Sequence, residues 1–233
     1  MDCKRPFIRE LTDSFRLSEG QRAQLEALLS MLDADDAPTT IRSPALATDV
    51  HLADSLVALE LGAVRQAAQI ADLGSGAGFP GLALAIALSA ARVSLVESQQ
   101  RKCRFLERAL ATAEVGNARV VCSRAEEWRD GFGRQDVVTA RALAPQPVVL
   151  EYAAPLLRLG GALVDWRGRR NSEEERSAER AATELGLRRL EIRRVEPFAE
   201  ARDHHLHLYT KVAPTPPRFP RRAGIARKRP LGC

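Results

Sequence analysis

The stretch that decides the fold is Ile70-Ala71-Asp72-Leu73-Gly74-Ser75-Gly76-Ala77-Gly78-Phe79-Pro80-Gly81. An apolar run containing one acid passes through closely spaced glycines into a segment with helical character. Glycines remove every Cβ from the turn, so a ligand can approach the backbone at the carboxyl end of a strand, where open α/β sheets bind ligands. Four glycines in the eight residues from Gly74 to Gly81 sacrifice backbone entropy without a packing return, which favours a binding role.

Short apolar segments alternate with helical patterns after this loop begins. The predicted strands are Gln69–Leu73, Arg92–Glu97, Arg119–Ser123, Asp136–Ala140 and Ala162–Trp166, and the predicted helices are Leu82–Leu88, Arg101–Ala113, Pro147–Leu157 and Ser172–Leu185. Such alternation predicts parallel strands joined by crossover helices. Leu187–Val195 and His205–Val212 have no helix between them and are expected to pair as a hairpin. The fold class is therefore α/β, a doubly wound and mostly parallel sheet that ends in an antiparallel hairpin.

The flanking regions differ in character from this core. Leucines recur with helical spacing after a predicted cap at Ser18, and a second helical periodicity runs from Leu52 to Val64. We expect residues 1–66 to form an N-terminal helical segment packed on the core, residues 67–213 to form the cofactor-binding domain, and residues 214–233 to form a Pro/Arg-rich tail on the surface. Five prolines in the tail are expected to prevent a regular helix there.

Composition and charge narrow the class of protein. No apolar stretch approaches the ~20 residues that cross a bilayer, so a cytoplasmic protein is expected. The four cysteines, Cys3, Cys103, Cys122 and Cys233, have no paired spacing, so neither a disulfide nor a zinc site is expected. Residues 1–213 hold 29 Lys+Arg against 30 Asp+Glu, whereas the tail holds six basic residues and no acid. That concentration suggests a polyanion as partner, although a solvated basic terminus explains the charge equally well.

The spacing of the glycines bears on the cofactor. A dinucleotide fingerprint is Gly-x-Gly-x-x-Gly, whereas this loop has Gly74, Gly76 and Gly78 behind Asp72. The pattern resembles that of class I methyltransferases, which bind S-adenosylmethionine on a Rossmann-like sheet. In that fold an acid at the end of the second strand holds the ribose hydroxyls, and Glu97 occupies this place. A dehydrogenase also uses an acid there, so an NAD-linked oxidoreductase stays open as an alternative.

The segments after the third and fourth strands bear on adenine and substrate. Methyltransferases of this fold usually recognise adenine after the third strand, where Ser123-Arg124-Ala125-Glu126-Glu127 stands, and Glu126 could accept its exocyclic amine. The fourth strand continues into Ala140-Arg141-Ala142-Leu143-Ala144-Pro145, without the Asn/Asp-Pro-Pro-Tyr/Phe motif of amine methylation. There is also no Pro-Cys pair to supply the nucleophile for cytosine carbon 5.

Chemistry that needs neither motif is left. Ring nitrogen 7 of guanine is an exposed acceptor with an in-plane lone pair and no proton to remove, so its methylation demands no general base. Alignment of nitrogen, methyl and sulfur would then carry the catalysis, a contribution of ~7–11 kcal/mol by effective-molarity arguments.

The chain resembles the GidB (RsmG) family of methyltransferases from about Thr40 to Leu231. The motifs that carry the resemblance are Thr40-Ile41-Arg42, His51-Leu52-Ala53-Asp54-Ser55-Leu56, the Asp72–Gly81 loop, Ser123-Arg124-Ala125-Glu126-Glu127, Ala140-Arg141-Ala142 and Pro220-Arg221-Arg222-Ala223-Gly224-Ile225. The resemblance implies methylation of ring nitrogen 7 of one guanosine, number 527, in 16S ribosomal RNA. It implies S-adenosylmethionine as cofactor, 16S RNA or the small subunit as partner, no metal, no membrane and a monomer.

The resemblance and the loop together suggest the site residues. The expected cofactor positions are Asp72, Gly74, Ser75, Gly76, Gly78, Phe79, Glu97, Ser98, Ala125, Glu126 and Arg141. Arg141 is also the expected catalytic residue, facing the guanosine. The expected RNA-binding residues are His51, Asp54, Arg167, Arg221, Arg222, Arg227 and Lys228. For His51 and Asp54 a capping or packing role remains an equal alternative.

The sequence departs from the family pattern in three places. Ala37-Pro38-Thr39 replaces the usual Asn-Leu-Thr, Arg167-Gly168 replaces Lys-Gly, and His204-His205-Leu206-His207 replaces Arg-His-Leu and an aliphatic residue. Lys and Arg are not interchangeable where a phosphate is held tightly. The histidines do not form a metal site by pattern, because no third ligand set is evident. Besides the oxidoreductase, a non-catalytic RNA-binding protein with a relic pocket stays open.

Overall fold

The computed structural model describes residues 5–41 and 43–232, without the side chains of residues 5–7, 44 and 45. Its centre is one seven-stranded sheet in the order β3-β2-β1-β4-β5-β7-β6. The strands are β1 Gln69–Leu73, β2 Arg92–Glu97, β3 Ala118–Cys122, β4 Gln135–Arg141, β5 Leu157–Arg167, β6 Leu187–Val195 and β7 His204–Lys211. The first five are parallel, and β7 pairs antiparallel with both β5 and β6. The predicted sheet and C-terminal hairpin are confirmed.

Ten α-helical segments surround the sheet in the described part of the chain. They are α1 Arg5–Ser14, α2 Glu19–Ser30, α3 Pro44–Ala47, α4 Asp54–Leu56, α5 Gly62–Arg65, α6 Gly81–Ala87, α7 Gln100–Thr112, α8 Gln146–Ala153, α9 Ser172–Leu185 and α10 Ile225–Lys228. The bounds of α9 match the prediction, because Asn171 caps its start and Gly186, at φ +76°, ends it. None of the described helices is long and apolar enough to cross a membrane.

The sheet separates two apolar layers. Alternate side chains of each strand point to opposite faces. On one face Ile70 and Leu95 pack with the N-terminal helices, α6 and α7, and on the other Leu73 and Val138 pack with α8 and α9. Parallel strands buried on both faces place their carboxyl ends along one edge, which is where the glycine loop emerges.

The N-terminal helices are tied to the core by specific hydrogen bonds. Ser18 and Gln21 form the expected capping box at the start of α2. The side-chain amide of Gln21 also donates to the carbonyls of Ile86 and Ala87, which lie at the end of α6 and have no partner within that helix. This bond fixes α2 against the helix that follows the glycine loop.

Local structure differs from expectation in several places. The periodicity from Leu52 to Val64 gives helical structure, as expected, but in short pieces, since a π-helical segment Thr48–Ala53 and a 3-10 turn Val57–Glu60 divide it. The tail contains the short α10 and buries Phe219 and Ala226 in the core, so it does not simply lie on the surface. Cys103 and Cys122, 19 residues apart, form a disulfide between α7 and the end of β3. Cys3 and Cys233 lie outside the described residues.

Candidate active site

A cavity of about 460 Å³ opens at the carboxyl edge of the sheet, between the ends of β1, β2 and β4. This volume lies in the usual range for small-molecule sites, ~300–1,000 Å³. The lining residues come from the glycine loop, the three strand ends, the start of α7, the turn after β3, α8 and the tail. They are Leu73, Gly74, Val96, Glu97, Ser98, Gln99, Lys102, Ser123, Arg124, Ala125, Glu126, Ala142, Leu143, Tyr152 and Arg227.

The glycine loop meets the cavity at its start, where Leu73 and Gly74 line it. Gly74 has φ +67°, and a Cβ at this position would lie 2.5 Å from Cδ1 of Leu143. Gly76 has φ +55°, and its amide donates to Oε2 of Glu97 at 3.2 Å. Both positions adopt the left-handed backbone that favours glycine. The loop therefore brings bare backbone beside the carboxylate at the end of β2.

Glu97 is held ready to bind a ligand. Its side chain is buried, and Oε1 accepts hydrogen bonds from the amides of Ser98 at 2.7 Å and Gln99 at 2.9 Å. These amides fix the carboxylate orientation before any ligand arrives. A fixed acceptor beside a glycine cradle matches the vicinal hydroxyls of a ribose, so the residues fit the nucleoside of S-adenosylmethionine.

The turn after β3 provides the other end of the cavity. Ala125–Glu127 is a 3-10 turn in which Glu126 is buried and lines the cavity with Ala125. Oε1 of Glu126 accepts the amide of Gly224 from the tail at 3.1 Å. The expected adenine residues thus share the cavity with Glu97, and the C-terminal segment contacts one of them.

Several predicted cofactor residues lie behind the cavity wall. Asp72 is fully buried, and its Oδ1 accepts the hydroxyl of Thr139 at 2.7 Å. Burial raises the pKa of Asp72 to about 6. A Cβ on Gly81 would lie 2.7 Å from Oδ2 of Asp72, so this carboxylate lies close against the start of α6, and it does not line the cavity. Ser75, Gly76, Gly78, Phe79 and Arg141 also do not line it.

A second polar cluster adjoins the cavity and joins three distant parts of the chain. Asp54 is buried, with Oδ2 at 2.9 Å from Nη1 of Arg141 and Oδ1 at 3.1 Å from Nδ1 of His204. The indole of Trp166 donates to the carbonyl of Asp54 at 2.8 Å. Arg141 immediately precedes the cavity residue Ala142. The cluster therefore fixes the direction in which β4 leaves the sheet.

His51 belongs to the same cluster. Its ring stacks on Phe79 with centroids 4.7 Å apart, and its Nδ1 lies 3.4 Å from Nη2 of Arg141. Because arginine only donates, Nδ1 must accept, so Nε2 carries the proton and donates to Oγ1 of Thr39 at 3.1 Å. Burial and the charge of Arg141 lower the pKa of His51 to about 4. The imidazole is neutral at pH 7, and both of its nitrogens are engaged.

Besides His51 and Asp54, the five basic residues predicted to bind RNA fall into three groups. The guanidinium of Arg167 pairs with Glu174 and donates to the carbonyl of Ala144, and that of Arg221 pairs with Glu151. Both are committed to contacts within the chain, which differs from the expectation of RNA contact. Arg222 and Lys228 are exposed, and Arg227 lines the cavity. Arg42 of the Thr40-Ile41-Arg42 motif lies outside the described residues.

Sequence reasoning missed functional positions that only the tertiary structure brings together. Lys102, Leu143 and Tyr152 line the cavity, and Thr39 and His204 complete the cluster around His51 and Asp54. The sequence could have indicated that Lys102 lines the cavity. It stands five residues after Glu97, and the helix that follows β2 begins at the same carboxyl end of the sheet. No local pattern marks the others. Among the described residues no group of His, Cys, Asp and Glu could hold a metal ion.

The sheet order, the glycine cradle and Glu97 define a class I, S-adenosylmethionine-dependent methyltransferase. The sequence profile of the family described as GidB, rRNA small subunit methyltransferase G, matches residues 23–205. A ribosomal RNA small subunit methyltransferase G from Synechococcus elongatus is 37% identical over 234 residues, 97% of this chain and 97% of the relative. One from Desulfitobacterium hafniense is 39% identical over 83% of this chain and 81% of the relative. The chain belongs to the rRNA small subunit methyltransferase G family.

Solved structures share the fold at low sequence identity. Cofactor-bound Rv0187 from MTB superposes with a TM-score of 0.56 and 22% identity, over 81% of this chain and 89% of that chain. Aeropyrum pernix fibrillarin, with natively bound S-adenosyl-L-methionine, has a TM-score of 0.54 and 21% identity, over 68% of this chain and 74% of that chain. The fold class, the family, the methyltransferase activity and the cofactor are confirmed. The alternative of an NAD-linked oxidoreductase finds no support.

Proposed function

We propose that this enzyme transfers the methyl group of S-adenosylmethionine to ring nitrogen 7 of a single guanosine in 16S ribosomal RNA, guanosine 527 by family likeness. The relatives' name, ribosomal RNA small subunit methyltransferase G, supports the class of RNA. The observation that carries the choice of atom is the segment after β4. Ala142 and Leu143 line the cavity there, in the place where amine methyltransferases carry an Asn/Asp-Pro-Pro-aromatic motif.

The described residues around the cavity suit an acceptor that keeps its own lone pair. His51, a histidine of the adjoining cluster, has both ring nitrogens engaged, since its Nδ1 accepts from Arg141 and its Nε2 donates to Thr39. None of the residues that line the cavity is a cysteine, so no nucleophile for carbon methylation stands at the site. Guanine nitrogen 7 needs neither group, because it attacks with an in-plane lone pair. The cofactor supplies the methyl group on a sulfonium, and the protein supplies position.

Arg141 is the residue we propose to face the guanosine. A guanidinium has five N–H donors. Three of them are directed to Val50, Asp54 and His51 by contacts of 2.9, 2.9 and 3.4 Å. The remaining two donors can bind the guanine in a fixed direction, because the first three contacts fix the plane of the guanidinium. They would have to bind the exocyclic oxygen, since nitrogen 7 must stay open to the methyl group.

The RNA backbone is proposed to lie across exposed basic residues around the cavity mouth. Arg124 lines the cavity and is exposed, and Arg222 and Lys228 are exposed on the nearby tail. Replacing Arg222 or Lys228 with Ala should reduce the slope of log affinity against log salt by about one for each phosphate that the variant no longer binds. The matched control is Arg188→Ala. Arg188 is exposed on β6, the edge strand at the far side of the sheet from β3. Equal slopes in all three variants would leave the tail without an RNA role.

A transfer assay tests the proposed substrate. Labelled S-adenosylmethionine is incubated with small subunits that lack the modification, with naked 16S RNA and with tRNA. We expect label in 16S RNA from the subunit, the naked RNA, or both, and none in tRNA. Label that appears on protein or on a small molecule instead would exclude the proposal. We further propose a cytoplasmic monomer, with the three segments 1–66, 67–213 and 214–233 as its functional divisions, which size and tryptic-release measurements can check.

A further inference from the structure

The C-terminal segment, residues 219–229, is anchored across the α8 side of the cavity. Arg221 extends its guanidinium and its backbone amide to Glu151 of α8, a carboxylate with 0% exposure. Phe219 and Ala226 are buried among the side chains of the core layer that contains α8. An ion pair and two buried apolar side chains therefore hold this segment in place.

From this position the segment reaches the cavity at two points. The amide of Gly224 donates to Oε1 of Glu126 at 3.1 Å. The guanidinium of Arg227 lines the cavity, donates to the carbonyl of Leu143 at 3.0 Å and lies beside the phenol of Tyr152. Arg227 thus connects the end of β4 with α8, on the wall of the cavity that also contains the turn after β3.

We propose that Arg227 is a cofactor-binding residue whose guanidinium packs against the adenine of S-adenosylmethionine, and that the C-terminal segment closes that end of the cavity. Ala125 and Glu126 mark the adenine end, and Arg227 lines the same cavity on the segment whose Gly224 amide contacts Glu126. A planar cation suits this place, because it attracts the face of an aromatic base while its edge N–H groups stay bonded to the Leu143 carbonyl.

The same geometry argues against a phosphate as the partner of Arg227. Arg222, Arg227 and Lys228 are all exposed, but only Arg227 lines the cavity, where its guanidinium donates to the Leu143 carbonyl. One segment therefore carries one cation at the cavity and two others outside its lining. RNA that binds Arg222 and Lys228 would therefore contact the C-terminal segment, which closes the cofactor site.

Calorimetry with S-adenosylhomocysteine and with adenosine tests the proposal on the full-length protein. Arg227→Ala should raise the Kd of both ligands by the same factor, about tenfold, because both ligands carry the base against which the guanidinium packs. Lys228→Ala, one residue away and outside the cavity lining, should change either Kd by less than twofold. Arg227→Lys keeps the charge but loses the plane, so it should recover only part of the affinity.

Two results would overturn the proposal. Unchanged affinity for S-adenosylhomocysteine in Arg227→Ala, with a reduced salt slope for RNA binding, would make Arg227 a phosphate-binding residue. Weakened binding of S-adenosylhomocysteine with unchanged binding of adenosine would move Arg227 to the methionine end. Thermal midpoints of the ligand-free variants identify any loss of folding, and a destabilised Arg227→Ala is replaced by Arg227→Lys, for which an unchanged Kd overturns the proposal equally.

Discussion

Replacing Arg221 with Met should destabilise the protein strongly at pH 7 and much less at pH 5. Arg221 is the cation that pairs with Glu151, whose side chain has 0% exposure, through Nε to Oε1 at 2.9 Å and Nε to Oε2 at 3.1 Å. Removing one partner of a buried pair typically costs ~3–5 kcal/mol, because the other charge stays buried. A carboxylate can instead take up a proton, which for an ordinary glutamate costs about 4 kcal/mol at pH 7 and about 1 kcal/mol at pH 5.

The destabilisation of Arg221→Met is therefore limited to about 4 kcal/mol at pH 7, or about 10 °C in Tm for a chain of this size. The sign follows from linkage: the folded variant binds a proton that its unfolded state releases, so the variant gains stability relative to wild type as the pH falls. Urea unfolding at pH 7, 6 and 5 measures the difference between the two proteins. Arg222→Met is the control and should stay within about 0.5 kcal/mol at each pH. A destabilisation of Arg221→Met that equals this control, or that does not change with pH, would show that Arg221 does not neutralise a buried Glu151 carboxylate.

Three further predictions concern the site and its support. Asp54→Asn removes the charge that faces Arg141 and should cost about 2 kcal/mol of stability. The variant should also lower kcat more than it raises KM for the cofactor. An unchanged kcat would show that this ion pair does not position the site. Gly81→Ala places a Cβ 2.5 Å from a buried leucine side chain and should cost about 2 kcal/mol of stability. Gly62 is the first residue of another helix, and a Cβ added there would have no neighbour within 4 Å, so Gly62→Ala should be neutral or slightly stabilising. Equal denaturation midpoints for the two variants would contradict this prediction. Burial lowers the pKa of His207 to about 4, so between pH 7 and pH 5 the unfolded state gains a proton that the folded state does not. The free energy of unfolding of wild type should therefore fall by about 2 kcal/mol more than that of His207→Gln over this range. Parallel curves of stability against pH for the two proteins would disprove this prediction.

The sequence predicted the sheet well because local chemistry determines each strand. The observed β1, β2 and β6 have the predicted bounds, since apolar runs end there at an acid, a glycine or a charged turn. The glycine loop and Glu97 were predicted as a pair because adjacent parallel strands present their carboxyl ends at one edge. Their contact, the Gly76 amide on the Glu97 carboxylate, follows from that topology.

Contacts between distant segments could not be predicted in the same way. Arg227 and Leu143 are separated by 84 residues, and Asp54 and His204 by 150, so their meeting depends on how helices and turns pack. The cysteine pair was missed for the same reason, because a spacing of 19 residues says nothing of the register between α7 and β3. The burial of Phe219 and Ala226 was missed likewise, because the charge and the prolines of the tail say nothing of which side chains reach the core.

One indication of the Arg221 contact was present in the sequence. Glu151 stands in the apolar run Val148-Val149-Leu150-Glu151-Tyr152, where every neighbour favours burial. A lone acid in a helix that is otherwise buried requires a cation from elsewhere in the chain. The tail offered six candidates, but nothing local distinguishes Arg221 from Arg222.

Chemical cleavage at the modified base tests the central proposal most directly. Small-subunit RNA that lacks the modification is treated with the enzyme and S-adenosylmethionine, then reduced with borohydride and cleaved with aniline, a reaction that breaks RNA at guanosines methylated on nitrogen 7. We predict one new cleavage position, at a guanosine, which disappears when the cofactor is omitted. Methyl incorporation without any cleavage, or cleavage spread over many guanosines, would contradict transfer to ring nitrogen 7 of a single base.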